Sequence, residues 1–152
     1  MLSRRKLTDA LLAAIGTTTS LPVLDAQPPS NTNFGWSGQP GETGSTFTPY
    51  TILTPQQSSN ASGPLADTHS DWRLSYSITS FGTSREQCEW IADLARSSLY
   101  GLHRDTFDGI DSTYTIQQVR TDTIGGVIRS DVTNPPMFGQ TDIYSVWVAK
   151  GI

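Results

Sequence analysis

The chain has 152 residues, with 14 acidic side chains against 10 basic ones, a formal net charge of −4 and a pI near 4.9. That length points to one domain, and the acidity argues against a groove built to grip nucleic-acid phosphates. Cys88 is the only cysteine, which excludes an internal disulfide and a cysteine metal cluster, and a hydrophobic fraction of 36% allows a core while committing much of the chain to loops.

The opening segment, MLSRRKLTDALLAAIG, has the outline of a signal peptide, a basic start followed by an apolar patch. Its apolar run is short and is broken by Thr8 and Asp9. Leu7, Leu11, Ala14 and Ile15 recur at helical spacing, and Gly16 is a natural stop, so the segment reads as an amphipathic helix over 1–16 that stays in the mature protein. Arg4, Arg5 and Lys6 either touch an acidic partner or form a solvated first turn, the plainer reading. No stretch is long and apolar enough to cross a bilayer as a helix.

From 17 to 46 the chain turns polar and rich in Gly, Pro, Ser and Asn. Long loops of this kind are functional or disordered, and few disordered linkers hold two aromatics as close as Phe34 and Trp36. These two either pin the loop onto its own core or anchor on a neighbouring protein. The remainder, 47–152, reads as a sheet carrying a central helix over 84–100. Phe47 to Thr54 is a short strand whose Pro49 suits an edge or a strand start. A second polar loop runs on to Ser70.

The stretch from Asp71 to Tyr100 is the richest. Trp72, Leu74, Tyr76 and Ile78 fall on every second residue and so share one sheet face, with Arg73, Ser75, Ser77 and Thr79 on the other. Phe81-Gly82-Thr83 breaks the strand. Ser84 is placed to cap a helix and Gln87 to close a capping box, while Glu86 and Glu89 put negative charge where the helix dipole favours it. Cys88, Ile91, Ala92, Ala95 and Leu99 then form one helical stripe that can pack on the strand just left. Cys88 reads as a small buried apolar residue on that stripe.

His103 to Asp111, HRDTFDGID, gathers Asp105, Asp108 and Asp111 around one histidine but lacks the ligand spacing of a calcium loop, and reads as a solvated acidic loop. Tyr114 to Arg120 alternates without declaring its buried face. Gly125-Gly126 turns into a short strand at Val127-Ile128, and Asn134-Pro135-Pro136 is a rigid break. The last strand places Tyr144, Val146 and Val148 on one face and Ile143, Ser145 and Trp147 on the other. The order is helix, strand, strand, helix and about three strands. It predicts an α+β fold with one mixed or antiparallel sheet, two helices on one face and long polar loops.

Catalytic signatures are absent. There is no GxSxG, no HExxH, no phosphate-cradling glycine loop and no dinucleotide fingerprint, and no cofactor is implied. Ser84 is accounted for by its cap role. His69 and His103 both lie in polar, loop-like contexts.

The block YSITSFGTSREQCEWIAD, Tyr76 to Asp93, resembles the strand-turn-helix of tail terminator proteins from long-tailed, non-contractile bacteriophages. LTDALLAAIG resembles that family's opening helix, PYTIL (Pro49 to Leu53) an early strand, SGPLAD (Ser62 to Asp67) a loop, and TNPPMF (Thr133 to Phe138) with the closing strand its ending. The matches run in the same order over most of the chain. The resemblance implies a non-enzymatic virion protein located at the neck of the phage tail. It implies a ring of copies of the chain, six-fold in lambda-type members, that caps the head-proximal end of the tail tube and stops its polymerisation. Its partners would be itself, the tail tube protein and the stopper or neck protein of the head, with genome DNA passing through the lumen without specific binding. Contact candidates, chosen on polarity and position, are Phe34 and Trp36, the loop holding Pro64, Leu65 and Asp67, and Asp105, Asp108 and Asp111.

Two other classes stay open. One is a neighbouring connector ring, a stopper or adaptor. The other is a small hydrolase or ligand-binding domain using His69, His103 or the aspartates between 105 and 111.

Overall fold

A computed structural model describes residues 2–19, 21, 23–26, 49–57, 59–60, 71–110, 112–130 and 137–150. Its elements run α1 (Arg4–Thr19), β1 (Val23–Asp25), β2 (Tyr50–Pro55), β3 (Ser59–Asn60), β4 (Asp71–Gly82), α2 (Arg85–Tyr100), β5 (Thr106–Asp108), β6 (Thr113–Thr123), β7 (Ile128–Ser130) and β8 (Met137–Lys150). All strands join one sheet in the order β1-β2-β4-β8-β6-β5, with β3 also paired to β4 and β7 to β8. Among the described strands only β1 and β2 run parallel, so the sheet is mixed and the fold is α+β.

The period-2 pattern of β4 does what the sequence suggests. β4 pairs with β8 from Asp71↔Ala149 to Gly82↔Phe138, and this register aligns Leu74 with Val146 and Tyr76 with Tyr144 on one face. Those four, with Ile78, Leu53, Ile116 and Val148, are 3% exposed or less and form the core. Both helices cover this face. α1 contributes Leu7, Leu11 and Ile15, α2 contributes Ala95 and Leu99, and each of the five is fully buried. At about 25 cal/mol per Å² of apolar surface, fully burying one such Leu or Ile is worth about 1.5–3 kcal/mol.

The start of α2 follows from its sequence. The Ser84 hydroxyl accepts from Gln87 N at 3.1 Å. The Gln87 amide oxygen reaches back past the cap to Thr83, accepting from its backbone N at 2.8 Å and its hydroxyl at 3.0 Å. The box thus closes one residue earlier than the standard pattern. Arg85 and Glu89 pair at 2.6 Å across one turn. The stripe of Cys88, Ile91, Ala92, Ala95 and Leu99 is buried throughout, and Cys88 Sγ donates to the Ser80 carbonyl at 3.3 Å. Gly82 is required at the junction, because a Cβ there would stand 2.7 Å from Cys88 N.

Several expectations need correction. α1 does not stop at Gly16 but continues to Thr19, whose hydroxyl folds back on the Ile15 carbonyl at 2.7 Å. Arg5 and Lys6 are exposed, as a solvated first turn requires, but Arg4 is half-buried. Its guanidinium donates to the Gln56 and Ser75 carbonyls and lies 5.3 Å from the Tyr76 ring centroid, tying the helix start to the sheet. The acidic loop after α2 contains β5, which pairs with β6 through Phe107↔Tyr114 and stacks those rings at 5.9 Å. The described strands number more than the sequence pattern gives, because β1, β3 and β5 hold three residues or fewer and cannot show an alternation. The last strand also begins earlier, at Met137.

Candidate interaction surface

Residues at odd positions of β4 face away from the helices, and the β4–β8 register brings Arg73 beside Trp147, Ser75 beside Ser145, Thr79 beside Thr141 and Phe81 beside Gly139. No described helix covers this face. Its centre is a charged and aromatic network. The Arg73 guanidinium lies 5.5 Å from the Trp147 ring centroid, donates to Ser145 Oγ at 3.2 Å and stands 3.6 Å from the Asp122 carboxylate. Ser145 donates to Asp122, and Arg120 Nε donates to Asp122 Oδ1 at 2.8 Å. Burial pushes the Asp122 carboxyl up, but the Ser145 and Arg120 hydrogen bonds and the two guanidinium charges outweigh it and hold the group below its ordinary value.

Next to this face, the β6–β7 connection interrupts an otherwise continuous strand. β8 pairs with β6 from Ile143 onward and with β7 from Gly139 back, so Gln140–Asp142 face the gap. Here Asp142, 1% exposed, replaces the missing ladder. Its Oδ1 accepts from Gly125 N and from Gln140 Nε2, both at 3.0 Å, and its Oδ2 accepts from Arg96 Nη2 of α2 at 3.3 Å. Gly125 is needed for the close approach, since a Cβ would stand 2.1 Å from the Thr141 carbonyl oxygen. Burial, reinforced by the Asp142 charge, raises the Tyr144 hydroxyl well above its ordinary value.

The anchored connection presents apolar residues to solvent. Ile124 and Ile128 flank the two glycines and are 60% and 73% exposed. Ile128, Phe81, Met137 and Gly139 line a groove of about 330 Å³ on the uncovered side of the sheet. A wider groove of about 630 Å³ lies at the β6 edge, lined by Tyr100, His103, Gln117, Gln118, Val119 and Trp147.

Of the contact candidates, Asp105 and Asp108 are exposed, one before β5 and one at its end. Asp105 works through its backbone, donating to the Leu102 carbonyl at 2.9 Å and accepting from Ile116 N at 2.8 Å. Phe34, Trp36, Pro64, Leu65, Asp67 and Asp111 lie outside the described residues, as does His69. His103 is exposed. Among the described residues no group of three His, Cys, Asp or Glu is placed to hold a metal ion. No described helix is long and apolar enough to cross a membrane.

Sequence reading missed Asp142, Gln140, Arg96 and the Arg73–Asp122 network. One signal was available. The alternation that buries Val148, Val146 and Tyr144 runs back through Asp142 and Gln140, so two polar residues continue an apolar stripe.

No protein-family model matches the chain, and neither does any curated protein sequence. Among solved structures, a chain from the virion of a native gene transfer agent (GTA) particle is similar over 93% of this chain and 84% of its own length, at 15% identity and a TM-score of 0.53. That likeness is one of fold. A second solved chain matches over 94% of this chain and 92% of its own, at 13% identity and a TM-score of 0.48, too low to carry an argument.

Proposed function

We propose that this chain is a structural protein of a tailed, phage-like particle, a terminator whose copies form a ring on the head-proximal end of the tail tube. The ring covers the last layer of tube protein, stops its growth and offers its other face to the neck of the head. The observation that carries the reading is the end-to-end likeness in fold to a virion chain of a GTA particle. It agrees with the ordered resemblance of the Tyr76–Asp93 block and its flanking segments to tail terminators. The molecule has suitable material for assembly: an uncovered sheet face, exposed Ile124 and Ile128 on an anchored connection, and a further exposed aromatic, Trp90, on α2. A ring needs unlike surfaces that meet head to tail, and the uncovered face with Ile128 lies across the sheet from α2 with Trp90. The net charge of −4 suits a lumen that lets DNA slide through unheld. The work is done by shape, with no bond made or broken.

The test is genetic and visual. Particles made without this chain should carry tails of uncontrolled, excess length in electron micrographs. Normal-length tails detached from leaking heads would instead identify a stopper or adaptor. Normal tails joined normally to heads would end both readings.

A further inference from the structure

Among the described residues, the outer edge of β6 is open beyond Ile116. β5 pairs only with Thr113–Thr115, and two backbone hydrogen bonds at Ile116, from Arg104 N and to Asp105 O, are the last backbone hydrogen bonds on that side among the described residues, while the Thr121 side chain bonds the Tyr100 hydroxyl of α2. β6 continues to Thr123. Register shifts beside Gln117 and Asp122 bracket a regular window, Gln118–Thr121, paired inward to Trp147–Tyr144.

An open edge is commonly blocked by lysine, proline or outward charge. β6 has no lysine or proline. Its charged residues Arg120 and Asp122 are bound to each other, with Asp122 also held by Ser145 and Arg73 on the sheet face. The groove of about 630 Å³ at this edge leaves room for an incoming strand, with Tyr100, Val119 and Trp147 among its walls. The opposite end of the same sheet is β1, a strand of three residues whose outer side pairs with no described strand. A three-residue strand fits within the four-residue window, and the two edges are unlike, which is what head-to-tail closure requires.

We infer that the Gln118–Thr121 edge of β6 receives β1 of a second copy of this chain, so that one sheet continues from subunit to subunit around the assembly. This rests on the ring reading above. Main-chain hydrogen bonds supply the contact, and the groove residues set its register.

Amide hydrogen exchange on the full chain, compared between dilute monomer and the self-assembled form, tests the pairing. On assembly, exchange at 118–121 and at 23–25 should both slow tenfold or more, while the central part of β4 stays as protected as before. The double variant Gln117→Lys/Thr123→Lys, which changes two exposed side chains, should keep the monomer's Tm and fail to assemble. The inference is overturned by an oligomer whose 118–121 amides exchange as in the monomer, by protection there without protection at 23–25, by a self-crosslinked two-fold β6–β6 dimer, or by a chain that stays monomeric at every concentration. If both edges become protected but tails made without the chain have ordinary length, the edge pairing stands and the terminator reading falls.

Discussion

Gly125 N donates to Asp142 Oδ1 at 3.0 Å, and this side-chain bond stands where the ladder between β8 and the β6–β7 connection is broken. The same carboxylate holds the Gln140 amide and the Arg96 guanidinium of α2. One buried aspartate therefore links the sheet, the glycine connection and the helix that covers the core. Removing it takes the acceptor from Gly125 N and Gln140 Nε2 and leaves Arg96, 19% exposed, with its Asp93 pair alone. Asp142→Ala should lower unfolding stability by about 3 kcal/mol, read from the urea midpoint. Asp142→Asn, which keeps an acceptor oxygen but loses the charge, should cost less.

The two adjacent glycines behave differently. A Cβ on Gly125 meets the Thr141 carbonyl oxygen at 2.1 Å, whereas one on Gly126 has nothing within 4 Å. Gly125→Ala should therefore destabilise by about 2 kcal/mol, since a backbone carbonyl has little room to give. Gly126→Ala should fall within about 0.5 kcal/mol of the parent, as surface changes do. Thermal melts of the pair give the contrast directly, and equal losses at both positions would refute the steric account.

These sites explain how far the sequence could be read. The β4–α2 unit was legible because each local signal agreed with its neighbours: the alternation from Trp72 to Ile78, the Ser84 cap and the stripe ending at Leu99 all appear where the pattern puts them. The end of α1 was misread because Gly16 is a weak stop when the turn beyond it can close through Thr19. Arg4 was misread because an arginine in a first turn gives no local sign of the carbonyls it will meet 52 and 71 residues away. The Asp142 node has the same origin. Its partners Arg96 and Gly125 come together only through the sheet register, which short strands and a broken ladder do not announce.

Acid titration isolates the open-face network. The Asp122 carboxyl is held below its ordinary value near 3.8, so the native state releases that proton more readily than the unfolded chain. The stabilisation is present above pH 3.8 and is lost as pH falls through the lower folded value. Asp122→Asn should be less stable than the parent near neutral pH by at most about 1 kcal/mol, because its partner Arg73 is 41% exposed and water screens the pair. The two proteins should converge once the pH lies below the folded value of Asp122, and a difference that persists there would assign the effect to packing.

The alkaline limb has a separate cause. Burial, with help from the charges of Glu89 and Asp142, pushes the Cys88 thiol from 9.0 up to about 11, and burial pushes the Tyr50 hydroxyl to about 12. In each case the unfolded chain loses its proton first. Their contribution is intact below pH 9 and drains away as pH climbs toward the folded values. The unfolding midpoint should accordingly fall from about pH 9 upward, while the native thiol, with the Cys88 residue 0% exposed, reacts with iodoacetamide far more slowly than the denatured one at pH 8. Cys88→Ala should flatten the slope between pH 9 and 11 without abolishing it, because the tyrosines remain. Rapid alkylation of the folded protein would show that α2 opens at Cys88, and a pH-independent midpoint across this range would show that neither group is buried as described.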